Sequence, residues 1–219
     1  MIPLRDVIPS RTTPYLTVTI IALNVVAWGY ELTMPRDDLT TWLQHYGVVP
    51  ASFRTPTLVS SMFLHGSWMH VIGNMWYLWI FGDNVEDRMG HGRFLIFYLL
   101  CGFAAAFGQM AIDPQSMLPT IGASGAIAGV MGAYFVLYPH SRVLTLIPFI
   151  IYFDIVELPA IFLLGFWFLM QLFSAGAIAV TSSTQGGGVA FMAHVAGFIA
   201  GLIGVFVFRK RERPDARWA

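Results

Sequence analysis

"GASGAIAG", residues 122–129, lies in an apolar run that a bilayer would accept without any polar side chain, yet it carries a serine among small residues. A second stretch, "AHVAGFIAG" at 193–201, sets a histidine in the same kind of surroundings. Small residues recur at Gly122, Gly125, Gly129 and Gly132 around the first, and at Ala193, Gly197, Gly201 and Gly204 in the second. Spacings of this kind let helix backbones approach closely inside a membrane, where lipid removes the hydrophobic drive for packing. The two stretches therefore read as two helices that pack face to face and bring Ser124 and His194 within reach of each other.

The rest of the chain supports a membrane setting. Of its 219 residues, 57% are hydrophobic and 11% charged, with a mean hydropathy of +0.67. Soluble domains carry about 25% charged residues, so the composition is that of an integral membrane protein. A net charge of zero provides no field for nucleic acid or an acidic partner. The lone Cys101 excludes an internal disulfide and reads as a small buried hydrophobe.

Apolar stretches of spanning length, about 17 to 25 residues, fall at 15–31, 66–82, 94–112, 119–138, 159–180 and 189–208. The predicted fold class is an all-α membrane protein of six helices, with residues 1–14 as a cytoplasmic tail, 15–208 as one membrane domain and 209–219 as a basic cytoplasmic tail. The opening "MIPLRDVIPSRTTP" has no small-residue cleavage site after it and reads as a tail, not a removable signal peptide. With both termini inside, the inner segments hold Arg5, Arg11, Arg88, Arg93, Arg142, Arg209, Lys210, Arg211, Arg213 and Arg217, and the outer ones only Arg36 and Arg54. That asymmetry obeys the positive-inside rule and favours an even number of spans. The first outer loop, 32–57, holds Trp42, Tyr46, Phe53 and several prolines, and its length and composition predict packing on or in the membrane surface. "LIPFIIYFDIVELPA", 146–160, is short and broken by Pro148, Asp154, Glu157 and Pro159, and is expected to lie at the interface ahead of the fifth span.

Depth connects the polar side chains of the predicted spans. At a rise of about 1.5 Å per residue, His70 stands about 20 Å above the inner edge near Asp83, Ser124 about 21 Å above Tyr138, and His194 about 22 Å above Arg209. Three helices thus bring polar groups to one level of a core about 30 Å thick. Asn74 lies one turn below His70 on the same face, and His65 above both. A serine becomes a nucleophile when a positioned base takes its proton, a task that suits histidine. His70, Asn74 and the Ser124 backbone N–H could supply donors to the oxyanion. No Asp or Glu stands in the fourth or sixth span, so the inference is a Ser-His dyad without a carboxylate.

Other readings of the same residues stand beside this one. A serine in a glycine-rich membrane helix is commonly a packing residue or bonded back to a carbonyl, and His70 with Asn74 could be an interhelical hydrogen-bonded pair. The histidines lack the regular spacing of a zinc site and no H-E-x-x-H is present, so no metal is expected. Trp28, Trp68, Trp76 and Trp79 read as belt or packing residues. Asp154 and Glu157 fall near the inner interface, as solvated groups or headgroup partners.

In combination and order these motifs resemble the rhomboid intramembrane serine proteases over nearly the whole chain. "HGSWMHVIGN" (65–74) looks like the family's histidine and asparagine motif, "GASG" (122–125) its nucleophile motif and "AHVAGFIAG" its histidine and glycine helix. "YPHSRVLTLIPF" (138–149) and "ELPAIFLLGFWFLMQ" (157–171) are also similar to bacterial members. The resemblance implies Ser124 as nucleophile and His194 as general base, then acid to the leaving amine. It implies an oxyanion hole of His70, Asn74 and the Ser124 N–H, supported by His65 and Gly122, with Gly125, Gly197 and Gly201 on the packing face. "STQGGGVA" (183–190) matches the place of the family's gating cap. Where some members carry an aromatic one turn after the nucleophile, on which the catalytic histidine stacks, this chain has Ala128, so the orientation of His194 must come from elsewhere. The tryptophan and arginine pair that some members carry in the first loop corresponds at best to Phe53 and Arg54.

The function expected is hydrolysis of peptide bonds in or near transmembrane segments of other membrane proteins, with no cofactor. The partners are those substrates and the bilayer, and the place is a multi-pass one, most naturally a bacterial plasma membrane. Oligomeric state is not legible. A catalytically dead relative that binds membrane clients is one rival, against which the presence of both Ser124 and His194 counts. A six-span transporter is another, but the chain shows no inverted repeat or paired broken helices.

Overall fold

The computed structural model describes residues 1–148, 153–181 and 190–210. The helices are α1 (Tyr15–Glu31), α2 (Arg36–Tyr46), α3 (Thr57–Ser60), α4 (Trp68–Met89), α5 (His91–Ile112), α6 (Ser124–Leu137), α7 (Ala160–Thr181) and α8 (Phe191–Phe208). The strands are β1 (Ile2–Asp6), β2 (Arg142–Pro148) and β3 (Phe153–Pro159), in one antiparallel sheet of order β1-β2-β3.

Helix α6 is the centre. Its sequence SGAIAGVMGAYFVL is apolar all round, the signature of a helix enclosed on every side, and its residues from Gly125 to Tyr134 are buried. It packs against α8, α5 and α4, with α7 and α1 outside them. Large side chains fill the space between these helices, among them Leu78, Phe81, Phe94, Phe97, Tyr98 and Met131. Buried Glu86 of α4 fastens the start of α1 by accepting from the Leu16 N–H (3.0 Å), the Thr17 N–H (2.8 Å) and the Thr17 hydroxyl (2.7 Å). Those donors belong to the first helical turn and have no partner within the helix.

The sheet corrects the all-α expectation. Segment 146–160 does not simply lie against the interface: its described part forms the end of β2 and all of β3, with Val143 opposite Leu158 and Thr145 opposite Val156. Val, Ile, Thr and Phe favour strands, and the N-terminal tail supplies the third strand, with Ile2 opposite Leu146. The sheet is bolted to the helices: Asp6 Oδ2 accepts from the Tyr134 hydroxyl at 2.7 Å and from Asn84 Nδ2 at 2.8 Å, and Trp76 Nε1 donates to the Pro3 carbonyl at 2.6 Å. Glu157 takes a hydrogen bond from Arg142 at 3.2 Å, so its partner is within the protein.

Two further boundaries differ from expectation. The fourth apolar stretch becomes helical only at Ser124, because Thr120 pairs with Val48 and Gly122 takes a φ of +112°. The second continues past residue 82 to Met89, carrying Asp83, Glu86, Asp87 and Arg88 into its last turns. Among the described residues three helices are long and apolar enough to cross a membrane: His91–Ile112, Ala160–Ala177 and Phe191–Phe208. Tyr15–Glu31 and Ser124–Leu137 are apolar but shorter. Residues 183–189, the expected cap, and 211–219 of the expected tail lie outside the described residues.

Candidate active site

Gly122 ends the extended segment that enters α6, and only glycine adopts its φ of +112° readily. Its N–H donates to the Ser61 carbonyl at 2.8 Å. A Cβ here would also stand 2.5 Å from His70 Nε2 and 2.7 Å from Cε1, so the bare glycine lets the His70 ring close over the turn. Two residues on, Ser124 opens α6, where the first N–H groups of a helix have no intrahelical partner and converge as donors.

His194 sits in the first turn of α8, 8% exposed. Its height is set by the contact between α8 and α6, in which Gly197 faces Gly125 and Gly201 faces Gly129 with no side chain between backbones. A Cβ on Gly201 would stand 2.6 Å from the Gly129 carbonyl carbon and 2.7 Å from its Cα. The outcome is that His194 Nε2 lies 2.8 Å from Ser124 Oγ, although the two residues are seventy apart in the chain.

The other polar residues converge on the same place. Asn74 Nδ2 donates to His65 Nε2 at 2.9 Å, and the His65 and His70 rings meet edge to face at 4.9 Å. The Asn74 amide nitrogen also borders the Cβ position of Gly122, at 3.5 Å, so it faces the turn that holds Ser124. His65 is fully buried and its N–H donates to Glu31 Oε2 at 3.2 Å. Burial, helped by neighbouring His70, pushes the His65 imidazole down to about 4, which keeps the ring neutral and Nε2 able to accept from Asn74. Every residue predicted for the site is thus gathered around the start of α6: Ser124, His194, His70, Asn74, His65 and Gly122 at the polar cluster, with Gly125, Gly197 and Gly201 in the helix contact beneath it. Phe53 and Arg54 stand apart, Phe53 against Phe107 and Arg54 near His45.

Two residues of α7 that the sequence does not single out also reach the site. Gln171 Oε1 lies 2.8 Å from His194 Nδ1, and the Trp167 ring lies 5.7 Å from the imidazole at 35°. They are one helical turn apart and both meet the imidazole. A lone amide in the apolar run after Pro159 was the available signal. Beside Ser124 a small cavity of roughly 30 Å3 is lined by Met62, Gly102, Ala105, Gly122, Gly125 and Ala126 among others. Among the described residues no group of His, Cys, Asp or Glu could hold a metal ion.

A helical membrane protein with a serine and a histidine hydrogen-bonded across two of its packed helices is the class that fold and site define. Residues 53–211 match the Rhomboid domain, and the chain belongs to the rhomboid family. It is 27% identical over 135 residues to Rhomboid protein 1, mitochondrial, of Saccharomyces cerevisiae, covering 59% of this chain and 38% of that protein. It is 38% identical over 76 residues to Rhomboid protease GluP of Bacillus subtilis (35% and 14%) and 28% identical over 158 residues to Rhomboid-like protein 11, chloroplastic, of Arabidopsis thaliana (69% and 52%). The chain spans less than two thirds of the length of each of these relatives. The family makes it a multi-pass membrane protein. Mitochondrial and chloroplastic names beside a bacterial one give no support to the expected bacterial plasma membrane.

Proposed function

We propose that the protein is an intramembrane serine endopeptidase that cuts other membrane proteins in or near their transmembrane segments, using Ser124 and His194. The observation that carries this reading is the 2.8 Å contact between Oγ of half-buried Ser124 and Nε2 of buried His194. As Ser124 Oγ bonds to the scissile carbonyl carbon, its proton passes to His194 Nε2. The oxyanion is met by donors from the Ser124 N–H, Asn74 and His70. Collapse breaks the C–N bond as His194 returns the proton to the leaving amine, and water then hydrolyses the acyl-enzyme by the same steps in reverse order of groups.

All six long helices, α1 and α4 to α8, cross the bilayer in this reading, within a single membrane domain over residues 15–208. Helix α6 is about 21 Å long, short of a core about 30 Å thick. The non-helical residues before it complete the crossing, which a membrane tolerates where such backbone is enclosed by protein. The small cavity at Ser124 has room for about a methyl group or a water or two, so substrates with a small residue at the cleaved bond are favoured. Helix-breaking residues nearby assist, because a carbonyl held in a helix cannot be attacked.

The test is labelling of the detergent-solubilised protein with a fluorescent fluorophosphonate. Wild type is expected to take the label and Ser124→Ala to take none. A well-folded wild type that neither takes the label nor cuts a single-span test protein overturns the reading and leaves the client-binding alternative.

A further inference from the structure

We infer that Gln171 is the positioning residue of the site, selecting the tautomer in which His194 can act as a base; the inference rests on the serine-protease reading above. His194 makes two hydrogen bonds of 2.8 Å, one through each ring nitrogen, to Ser124 Oγ and to Gln171 Oε1. A carbonyl oxygen can only accept, so the proton of the neutral ring resides on Nδ1 and is donated to Gln171. Nε2 is thereby left with its lone pair directed at the serine hydroxyl, which donates to it. With the opposite tautomer Nε2 would carry the proton and could take none from Ser124.

The location of the amide supports a built role. Gln171 is the only amide or ionisable side chain between Pro159 and Thr181, and a polar group in such a run is costly unless it finds a partner. Its register against α8 is locked by aromatic contacts: Phe168 stacks on Phe198 at 4.7 Å and 23°, and Trp167 lies 5.7 Å from His194 and 6.2 Å from Phe198. Phe198 is one turn below His194, so these contacts set the height and the rotation at which the amide meets the imidazole. In a soluble triad a buried carboxylate selects the tautomer. An amide oxygen does the same without placing a charge at membrane depth, where charge is expensive.

The experiment compares fluorophosphonate inactivation of wild type, Ser124→Ala, Gln171→Leu, Gln171→Met and Gln171→Glu, resolving the maximal inactivation rate from the half-saturating probe concentration. Leu and Met preserve bulk and remove the amide oxygen, and either suffices if the other fails to fold. Expected is a fall of about 10²-fold in the maximal rate, the scale of a misplaced catalytic group, with half-saturation and thermal midpoint unchanged. Gln171→Glu keeps an acceptor oxygen at the same reach and is expected to recover most of the rate. A wild-type rate in Leu and Met, a loss that merely follows a lowered thermal midpoint, or a Glu variant no better than Leu each overturns the assignment while wild type still labels at Ser124. If wild type itself takes no label, the protease reading falls first, and the two failures are thereby told apart.

Discussion

Gly201→Ala places the added methyl at the closest approach of any glycine among the described residues. Its Cβ would stand 2.6 Å from the Gly129 carbonyl carbon and 2.7 Å from the Gly129 Cα, against about 3.5 to 4.0 Å for carbon atoms in good contact. The obstacle is backbone of a helix enclosed on all sides, so it cannot rotate away, and α8 must retreat from α6 by about 1 Å. Overpacking of this kind costs about 1 to 3 kcal/mol. The chemical effect is felt two turns up the same helix. Opening the 2.8 Å contact between His194 and Ser124 by about 1 Å takes it beyond hydrogen-bonding range, and a displacement of that size costs about 10²-fold in rate. Thermal unfolding in detergent and the rate of fluorophosphonate labelling measure the two effects on one sample. Gly29→Ala is the control: nothing lies within 4 Å of its Cβ position on exposed α1, and replacing a helix-interior glycine stabilises by about 0.5 to 1 kcal/mol. A Gly201→Ala protein with wild-type midpoint and labelling rate would refute the close-packing account of how His194 is positioned.

Asn74→Ala removes a donor beside the turn of Ser124 and is expected to lower cleavage by about 10² to 10³; buried His65 Nε2 also loses its donor, so the thermal midpoint is expected to fall, at a cost of about 1 to 3 kcal/mol, and unaltered turnover removes Asn74 from the oxyanion site. At the other end of the bundle, burial pushes the Asp6 carboxyl up from an ordinary 3.8 to about 6, with the nearby Asp83 charge adding to the effect and the Tyr134 hydrogen bond opposing it. A raised carboxyl binds its proton more tightly in the folded state, so this group destabilises fully above about pH 6 and the penalty is relieved as pH falls toward 4. The thermal midpoint of wild type is therefore expected to rise relative to that of Asp6→Asn between pH 7 and pH 5, the comparison removing the opposite trend from neutral, buried His65.

The membrane setting, the positions of the long helices and the residues gathered at the site were legible from the sequence because each is a local or periodic property. An apolar run declares a helix by its length, and a residue's depth follows from counting at a constant rise. Glycines at four-residue spacing mark a contact face before its partner is known, and Gly125, Gly129, Gly197 and Gly201 do meet across α6 and α8. Equal depth brought Ser124 and His194 into one plane by the same arithmetic.

What only the tertiary structure decided concerns partners that no local pattern encodes. β1 pairs with β2 across nearly two thirds of the chain, and a short tail of mixed residues gives no sign of that pairing, so the sequence reads as interfacial chain where the structure has a sheet. The start of α6 at Ser124 depends on Val48 pairing with Thr120 and on the φ of Gly122, neither of which alters hydropathy. Gln171 reaches His194 only because Phe168 and Trp167 fix the rotation of α7 against Phe198. Composition and spacing determine which segments are helices and how deep a residue lies on its own helix. The rotation of one helix against another is set by side chains meeting across the interface, and that rotation decides which nitrogen of His194 is left to face the serine.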